Sequence, residues 1–243
     1  LKYSALSDIG VKRQKNEDNW AIVFDKDDNP IGFIIADGMG GYFAGEEASK
    51  IAVNGMLPVI HKCVEEKLSS KDIRQLVSEQ INNINNKIMN YSMENLGGLE
   101  SGTTLSLGMI IEDNLHIIHV GDSRIYRIRE GEITRITEDH SLVSELMKEG
   151  LISEDEATSH PDRNKITKAL GFENDFFPDI FIEQILKGDI YIFCTDGLYE
   201  GMDDQEILKI VLSEPQEEIS QRLIEKAKQS GGTDNITVIV AWM

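Results

Sequence analysis

Between residues 71 and 93, Ile73, Leu76, Val77, Ile81, Ile84 and Ile88 fall on one face of a helix, and that stripe constrains the fold more than any other run. A long helix with a single apolar face has to bury it on something flat, and the strand-like runs on either side supply a sheet. Upstream, residues 2–9, 20–24 and 31–36 read as strands, with Asp27-Asp28-Asn29-Pro30 as the turn between the second and third. A second amphipathic stretch, from about 44 to 66, carries Ile51, Leu57, Ile60 and Val64, and Pro58 is expected to kink or interrupt it. Downstream, residues 103–111, 115–120 and 125–128 are strand-like, with Asp113-Asn114 as a turn signal. Residues 141–162 are helical in pattern but loosely apolar, with Ser153 and Glu156 spaced as a capping box. Strands at 180–186 and 190–194 follow, then helices from Asp203, with Glu206 three residues on, and from Gln216, and a last strand at 236–242.

Strands therefore come in groups separated by paired helices, not in strict alternation with them. The expected class is α+β: two antiparallel sheets face to face, each covered by helices, in a four-layer αββα sandwich whose strand ends meet at one rim. With 243 residues, only 5 prolines, no fixed repeat and no linker-like stretch, one domain over residues 1–243 is expected.

The formal charge of −19 argues against a nucleic-acid partner and against a basic membrane-surface helix. Glu65-Glu66 and Glu217-Glu218 read as solvated surface, and the remaining carboxylates are expected to crowd around bound cations. Packed without counter-ions they repel, so a metal-free form should be less stable than a loaded one. Two cysteines, Cys63 and Cys194, cannot build a zinc cluster, and Cys194 lies in an apolar run as a small buried hydrophobe. No stretch is apolar enough to span a bilayer and no leader opens the chain, so a cytoplasmic protein is the expectation.

Five acidic segments sit mostly where strand-like runs end: Asn16-Glu17-Asp18-Asn19, Ala36-Asp37-Gly38-Met39-Gly40-Gly41, Gly121-Asp122-Ser123-Arg124, Thr195-Asp196-Gly197 and Gly232-Thr233-Asp234-Asn235. Each alone is first of all a turn, since Asp-Gly is a turn dipeptide. Gathered at one rim, such carboxylates make a site for hard cations, which take oxygen ligands.

These segments, together with Ser7-Asp8-Ile9-Gly10 leading to Arg13, Ser101-Gly102-Thr103-Thr104 and Thr137-Glu138-Asp139-His140-Ser141, and with the third and fifth extended to Val120 and to Gly231 and Ile236-Thr237, occur in one order. In that order the chain resembles the bacterial type-2C, metal-dependent Ser/Thr protein phosphatases over essentially its whole length. The resemblance implies two or three Mn2+ or Mg2+ ions, with Asp37 bridging two of them, the Gly38 carbonyl facing one, and Asp196 and Asp234 holding the first. It implies Asp122 as ligand, with Asp196, of a further metal, and Asp18 and Glu17 as holders of metal-bound waters. A glycine after Asp37 lets backbone approach an ion closely. Arg13 is assigned to the substrate phosphate, whose oxygens a guanidinium fork grips in pairs.

The implied activity is hydrolysis of phosphoserine and phosphothreonine in proteins by a metal-activated water, opposing a bacterial Ser/Thr kinase, with a monomer as default. In eukaryotic members a histidine proposed as general acid follows the Asp-Gly pair, whereas this chain has Met39, which leaves that role unassigned. His140 reads as a structural hydrogen-bonding residue. Residues 142–170 resemble the flap beside the bacterial active site, with the mixed polarity of a mobile cover. Two other classes compete: a non-catalytic phosphoprotein-binding or sensor module of the same fold, and a two-metal nuclease. The intact aspartates count against the first and the charge of −19 against the second.

Overall fold

Residues 31–36 are apolar or glycine at every position, a pattern a short strand adopts when both its faces are covered. The computed structural model describes residues 1–40, 44–172 and 177–243. In chain order its elements are β1 (Lys2–Asp8), β2 (Asn19–Phe24), β3 (Pro30–Ala36), β4 (Gly38–Gly40), α1 (Ala44–Glu65), α2 (Ser70–Asn95), β5 (Ser101–Thr103), β6 (Leu105–Ile111), β7 (Asn114–Val120), β8 (Arg124–Arg129) and β9 (Glu132–Arg135). They continue with α3 (Leu142–Lys148), α4 (Glu154–Ser159), β10 (Asp179–Gln184), β11 (Ile190–Cys194), α5 (Asp196–Tyr199), α6 (Asp204–Ser213), α7 (Ile219–Gln229) and β12 (Ile236–Trp242).

Two antiparallel five-stranded sheets result, ordered β1-β12-β11-β8-β9 and β10-β7-β6-β3-β2, with a short β4-β5 ribbon beside them. Alternation along the central strands sorts the side chains into layers. From β3, Phe33 and Ile35 meet Tyr191, Phe193 and Ile239 between the sheets, while Ile34 and Ala36 face α1 and α2. From β11 and β12, Ile192, Cys194, Val238 and Val240 pack with Leu198, Ile207 and Leu223 on the opposite outer face. The expected four-layer sandwich is thus built from three apolar layers. The α2 stripe is in one of them: Ile73, Ile81, Ile84 and Ile88 are buried with Leu105, Leu107 and Met109 of β6. Each such side chain contributes about 1.5–3 kcal/mol by burial. Cys63 and Cys194 are buried and unpaired.

Pro58 does not interrupt α1. Both Pro58 and Asn54, whose carbonyl loses its donor, lie on the exposed face, where that carbonyl is open to solvent. Three elements go beyond the sequence expectation: the β4-β5 ribbon, β9, and α5, which turns Asp196-Gly197 into the first residues of a short helix. The segment 142–170 begins with α3 and α4, the latter opened by the Ser153–Glu156 capping box, and returns along the sheet rim. Its ends are laced by Leu142 N–H to Lys165 O (2.9 Å) and by Thr167 N–H to His140 O (2.8 Å). Among the described residues no helix is long and apolar enough to cross a membrane.

Candidate active site

Asp37 follows the last residue of β3 directly, so a strand buried from Ile31 to Ala36 aims it at the rim. Its backbone is fixed on both sides: the N–H donates to Thr104 Oγ1 at 2.9 Å, and the carbonyl accepts from Thr104 N–H and Thr103 Oγ1, each at 2.9 Å. Thr104 Oγ1 also lies 2.8 Å from Ser123 Oγ, which ties this turn to the one carrying Asp122. Gly38 packs so tightly that a Cβ would stand 2.1 Å from the Gly45 carbonyl oxygen. Gly41, the last residue of the Asp37 segment, lies outside the described residues.

Glu17 and Asp18 sit on the loop between β1 and β2, and Asn235 stitches that loop to the start of β12. Its Oδ1 accepts from Glu17 N–H at 2.8 Å, and its Nδ2 donates to Ile9 O at 3.0 Å and Lys15 O at 2.8 Å. Asp18 is buried beneath the rim, where Oδ2 accepts from Thr195 Oγ1 at 2.9 Å and from Thr237 Oγ1 at 2.6 Å. Asp196 opens α5, and Asp234 precedes β12. Arg13 Nη2 donates to Asp234 Oδ2 at 2.6 Å.

Asp122 stands two residues after the end of β7. Tyr199 OH donates to its carbonyl at 3.0 Å, and the Arg124 guanidinium lies 3.5 Å above the Tyr199 ring centre. Arg124 also grips Asp139 with Nε at 3.0 Å from Oδ1 and Nη2 at 2.7 Å from Oδ2.

Arg13, Glu17, Asp37, Gly38, Asp196 and Asp234 line one cleft of about 510 Å3, with Met39, Lys168 and Phe172 on its other walls. Asp18 lies under it and does not line it. Asp122 faces a second cavity of about 930 Å3 beneath α3 and α4, which shares Asp196 and Asn164 with the first. No histidine lines the cleft among the described residues.

Crowding shows in the electrostatics. Burial, then the charges of Asp18, Asp196, Asp122 and Asp234, hold Asp37 well above the usual carboxylate range. Asp196 is raised in the same way by burial, then by Asp122 and Asp234. Burial pushes Asp18 up to about 7 despite the opposing threonine hydrogen bonds, and burial with Asp139 pushes Asp122 to about 7. Glu17 is raised by burial, offset in part by Arg13 and the Gly45 N–H at the start of α1.

The donors suit a hard divalent cation. All are oxygens, and the buried Asp18 Oδ1 and Asp196 Oδ1 have no hydrogen-bond partner, a cost that a cation would remove. Yet no three His, Cys, Asp or Glu side chains among the described residues stand in a group that could hold an ion as placed. Mutual repulsion disfavours such a group, and Asp234 is engaged by Arg13.

Sequence reasoning assigned no role to Thr103, Thr104, Ser123, Thr195, Thr237 and Asn235. All six belong to the ordered motifs, so the signal was present, but hydroxyls and amides bonded to backbone and carboxylate carry no chemistry of their own in a linear reading.

Residues 11–230 match the family model described as Protein phosphatase 2C. The serine/threonine phosphatase stp of Listeria monocytogenes serotype 4b is 36% identical over 235 residues, covering 96% of this chain and 92% of that one. The solved S. agalactiae serine/threonine phosphatase superposes with a TM-score of 0.90 at 35% identity, over 100% of this chain and 99% of that one. The catalytic domain of the serine threonine protein phosphatase PstP, solved in complex with two manganese ions, gives a TM-score of 0.83 at 33% identity, over 99% and 97%.

Proposed function

Because the chain belongs to the protein phosphatase 2C family and is a metal-dependent serine/threonine protein phosphatase, we propose that its two cavities divide the work between catalysis and substrate selection. Asp37, Asp196, Asp234 and the Gly38 carbonyl would hold two ions in the cleft, Asp122 and Asp196 a further one, and Asp18 and Glu17 would accept hydrogen bonds from water behind them. The observation that carries this reading is the set of buried, mutually repelling carboxylates around Asp37, with the Asp196 oxygen that has no partner.

Mn2+ or Mg2+ held there would supply positive charge to offset the carboxylates and the phosphoryl group and would lower the pKa of water in the cleft. Arg13 takes the phosphate oxygens, exchanging Asp234 for the substrate. Met39, Ile166, Ala169 and Phe172 give the cleft an apolar portion that suits the aliphatic part of a phosphoseryl or phosphothreonyl side chain. Met39 has no proton to give, so the leaving seryl oxygen takes its proton from water in the cleft. The segment 142–170 acts as a flap over the second cavity and selects the sequence around the phosphorylated residue. In the cell the enzyme acts as a cytoplasmic monomer that reverses a Ser/Thr protein kinase.

The test is hydrolysis of p-nitrophenyl phosphate and a phosphothreonine peptide with Mn2+, then with EDTA, beside Asp37→Asn. Metal-dependent turnover lost in the variant is expected. Undiminished turnover by Asp37→Asn would remove the metal-centre assignment.

A further inference from the structure

Both main-chain groups of Gly121, the residue before Asp122, end on His140. Gly121 N–H donates to His140 Nδ1 at 2.9 Å, and His140 N–H donates to Gly121 O at 2.8 Å. An N–H only donates, so Nδ1 accepts and the ring carries its proton on Nε2. That nitrogen lies 3.2 Å from Asp179 Oδ2 on β10, close enough to donate. The same carboxylate receives Lys168 Nζ at 3.4 Å, Nζ itself stands 3.3 Å from His140 Nε2, and Lys168 lines the catalytic cleft. His140 O accepts from Thr167 N–H at 2.8 Å, beside Lys168 on that wall.

The imidazole is only 12% exposed and stacks on His119 with ring centres 4.9 Å apart. His119 is itself fixed, with Nδ1 2.8 Å from Ser106 Oγ and Nε2 3.0 Å from Glu138 O. Gly121 has little freedom to answer a lost bond, because φ is +108° and a Cβ there would stand 2.5 Å from Thr104 Cγ2. His140 lines neither cavity, so it does not touch substrate. One largely buried side chain, 12% exposed, therefore joins the turn that carries Asp122 to the wall of the cleft.

We propose that His140 is a positioning residue with two separable links: Nδ1 sets the Asp122 carboxylate through Gly121, and Nε2 sets the Thr167–Lys168 wall through Asp179. The first link rests on the assignment of Asp122 as a metal ligand. Two conservative variants separate the links. In His140→Asn the amide oxygen replaces Nδ1 as acceptor for Gly121, and the contact with Asp179 is lost. In His140→Gln the longer amide reaches toward Asp179, and Gly121 N–H loses its acceptor.

Mn2+ binding to metal-stripped protein, measured by calorimetry with stoichiometry, is expected to show one ion weakened about tenfold in His140→Gln and unchanged in His140→Asn. The KM for the peptide, and for p-nitrophenyl phosphate, which binds in the cleft that Thr167 and Lys168 line, is expected to rise several-fold in His140→Asn and to hold in His140→Gln. Melting temperatures check folding. Identical behaviour of the two variants, or equal weakening of every Mn2+ site alongside a fall in melting temperature, would overturn the proposal and leave His140 a general structural residue. Asp122→Asn is the control for the underlying reading. If it binds as many ions as the parent, the ligand assignment fails and the Nδ1 link with it, while the peptide-KM split still decides the Nε2 link.

Discussion

Arg13 and Asp234, 221 positions apart in sequence, are joined by a 2.6 Å charge-assisted hydrogen bond at the mouth of the catalytic cleft. In the proposed assignment, Arg13 for phosphate and Asp234 for a cation, the two neutralise each other until cation and substrate take their places. The pair is half exposed on the arginine side, so its direct contribution to stability is small.

Arg13→Ala should lower kcat/KM for both a phosphopeptide and p-nitrophenyl phosphate by about 10- to 100-fold, the equivalent of one charged hydrogen bond of about 1.5–3 kcal/mol. Mn2+ binding should hold or tighten, because Asp234 is released. Melting temperature should stay nearly constant. Retained kcat/KM in steady-state assays would reduce Arg13 to a structural partner of Asp234.

Stripping the metal should lower the melting temperature. Ions that bind only the folded state stabilise it by about 2.7 kcal/mol at 100 times their Kd, which for a chain of this size corresponds to roughly 5–10 °C. Calorimetric scans with EDTA and with saturating Mn2+ measure the gap. Coincident transitions would mean that the crowded carboxylates bind no ion.

The layers of the fold were legible because their signals are periodic. The Ile73–Ile88 stripe and the runs at 103–111 and 236–242 repeat at helix or strand spacing over several turns or residues. The ribbon was not, because Gly38-Met39-Gly40 and Ser101-Gly102-Thr103 are too short and too small-sided to show a period. Asp196-Gly197 reads locally as a turn; Thr195 before it spends its hydroxyl on Asp18 rather than on a cap, and tertiary packing of Leu198 makes it a helix start. The acidic residues of the site were legible from the order of their motifs. Their supports were not: Thr237 reaches Asp18 across 219 positions, and nothing in a linear spacing of that length marks a hydrogen bond.

Asp139→Ala should destabilise the protein by about 3–5 kcal/mol, because it leaves the Arg124 guanidinium without its carboxylate; Arg124 and Asp139 side chains are only 19% and 10% exposed. The loss should carry into activity, since Arg124 stacks on the tyrosine that holds the Asp122 carbonyl. Urea unfolding measures it. A change below about 1 kcal/mol would place this pair among ordinary surface ion pairs.

Met147→Lys, in the cavity beneath α3 and α4, should raise KM for a phosphopeptide several-fold and leave p-nitrophenyl phosphate hydrolysis nearly unchanged. The small ester needs only the cleft around Asp37, which Met147 does not line. Parallel kinetics on both substrates check this, and equal losses would count against the flap as a selector of peptide sequence.

The last prediction concerns pH in the metal-stripped protein. Asp18 and Asp122 stand at about 7 in the folded state, against about 3.9 for an unperturbed aspartate. Above pH 7 both states are ionised and the folded one bears the full repulsion. As pH falls through 7 the folded state takes up protons that the unfolded chain does not bind until about pH 4, so stability rises. Buried His119 works the other way: its folded value is down at about 4, so below its ordinary 6.5 the unfolded chain takes the proton first and stability falls. From pH 8 to 6.5 that opposing effect stays the smaller one, because the unfolded histidine is at most half protonated there. Across that range each raised aspartate contributes about 1 kcal/mol, and the melting temperature with EDTA should climb by several degrees. With saturating Mn2+ the climb should disappear, because cations and protons compete for the same oxygens. A metal-free melting temperature that stays flat or drops from pH 8 to 6.5 would mean that these carboxylates are not held in the repelling, buried cluster proposed as the metal site.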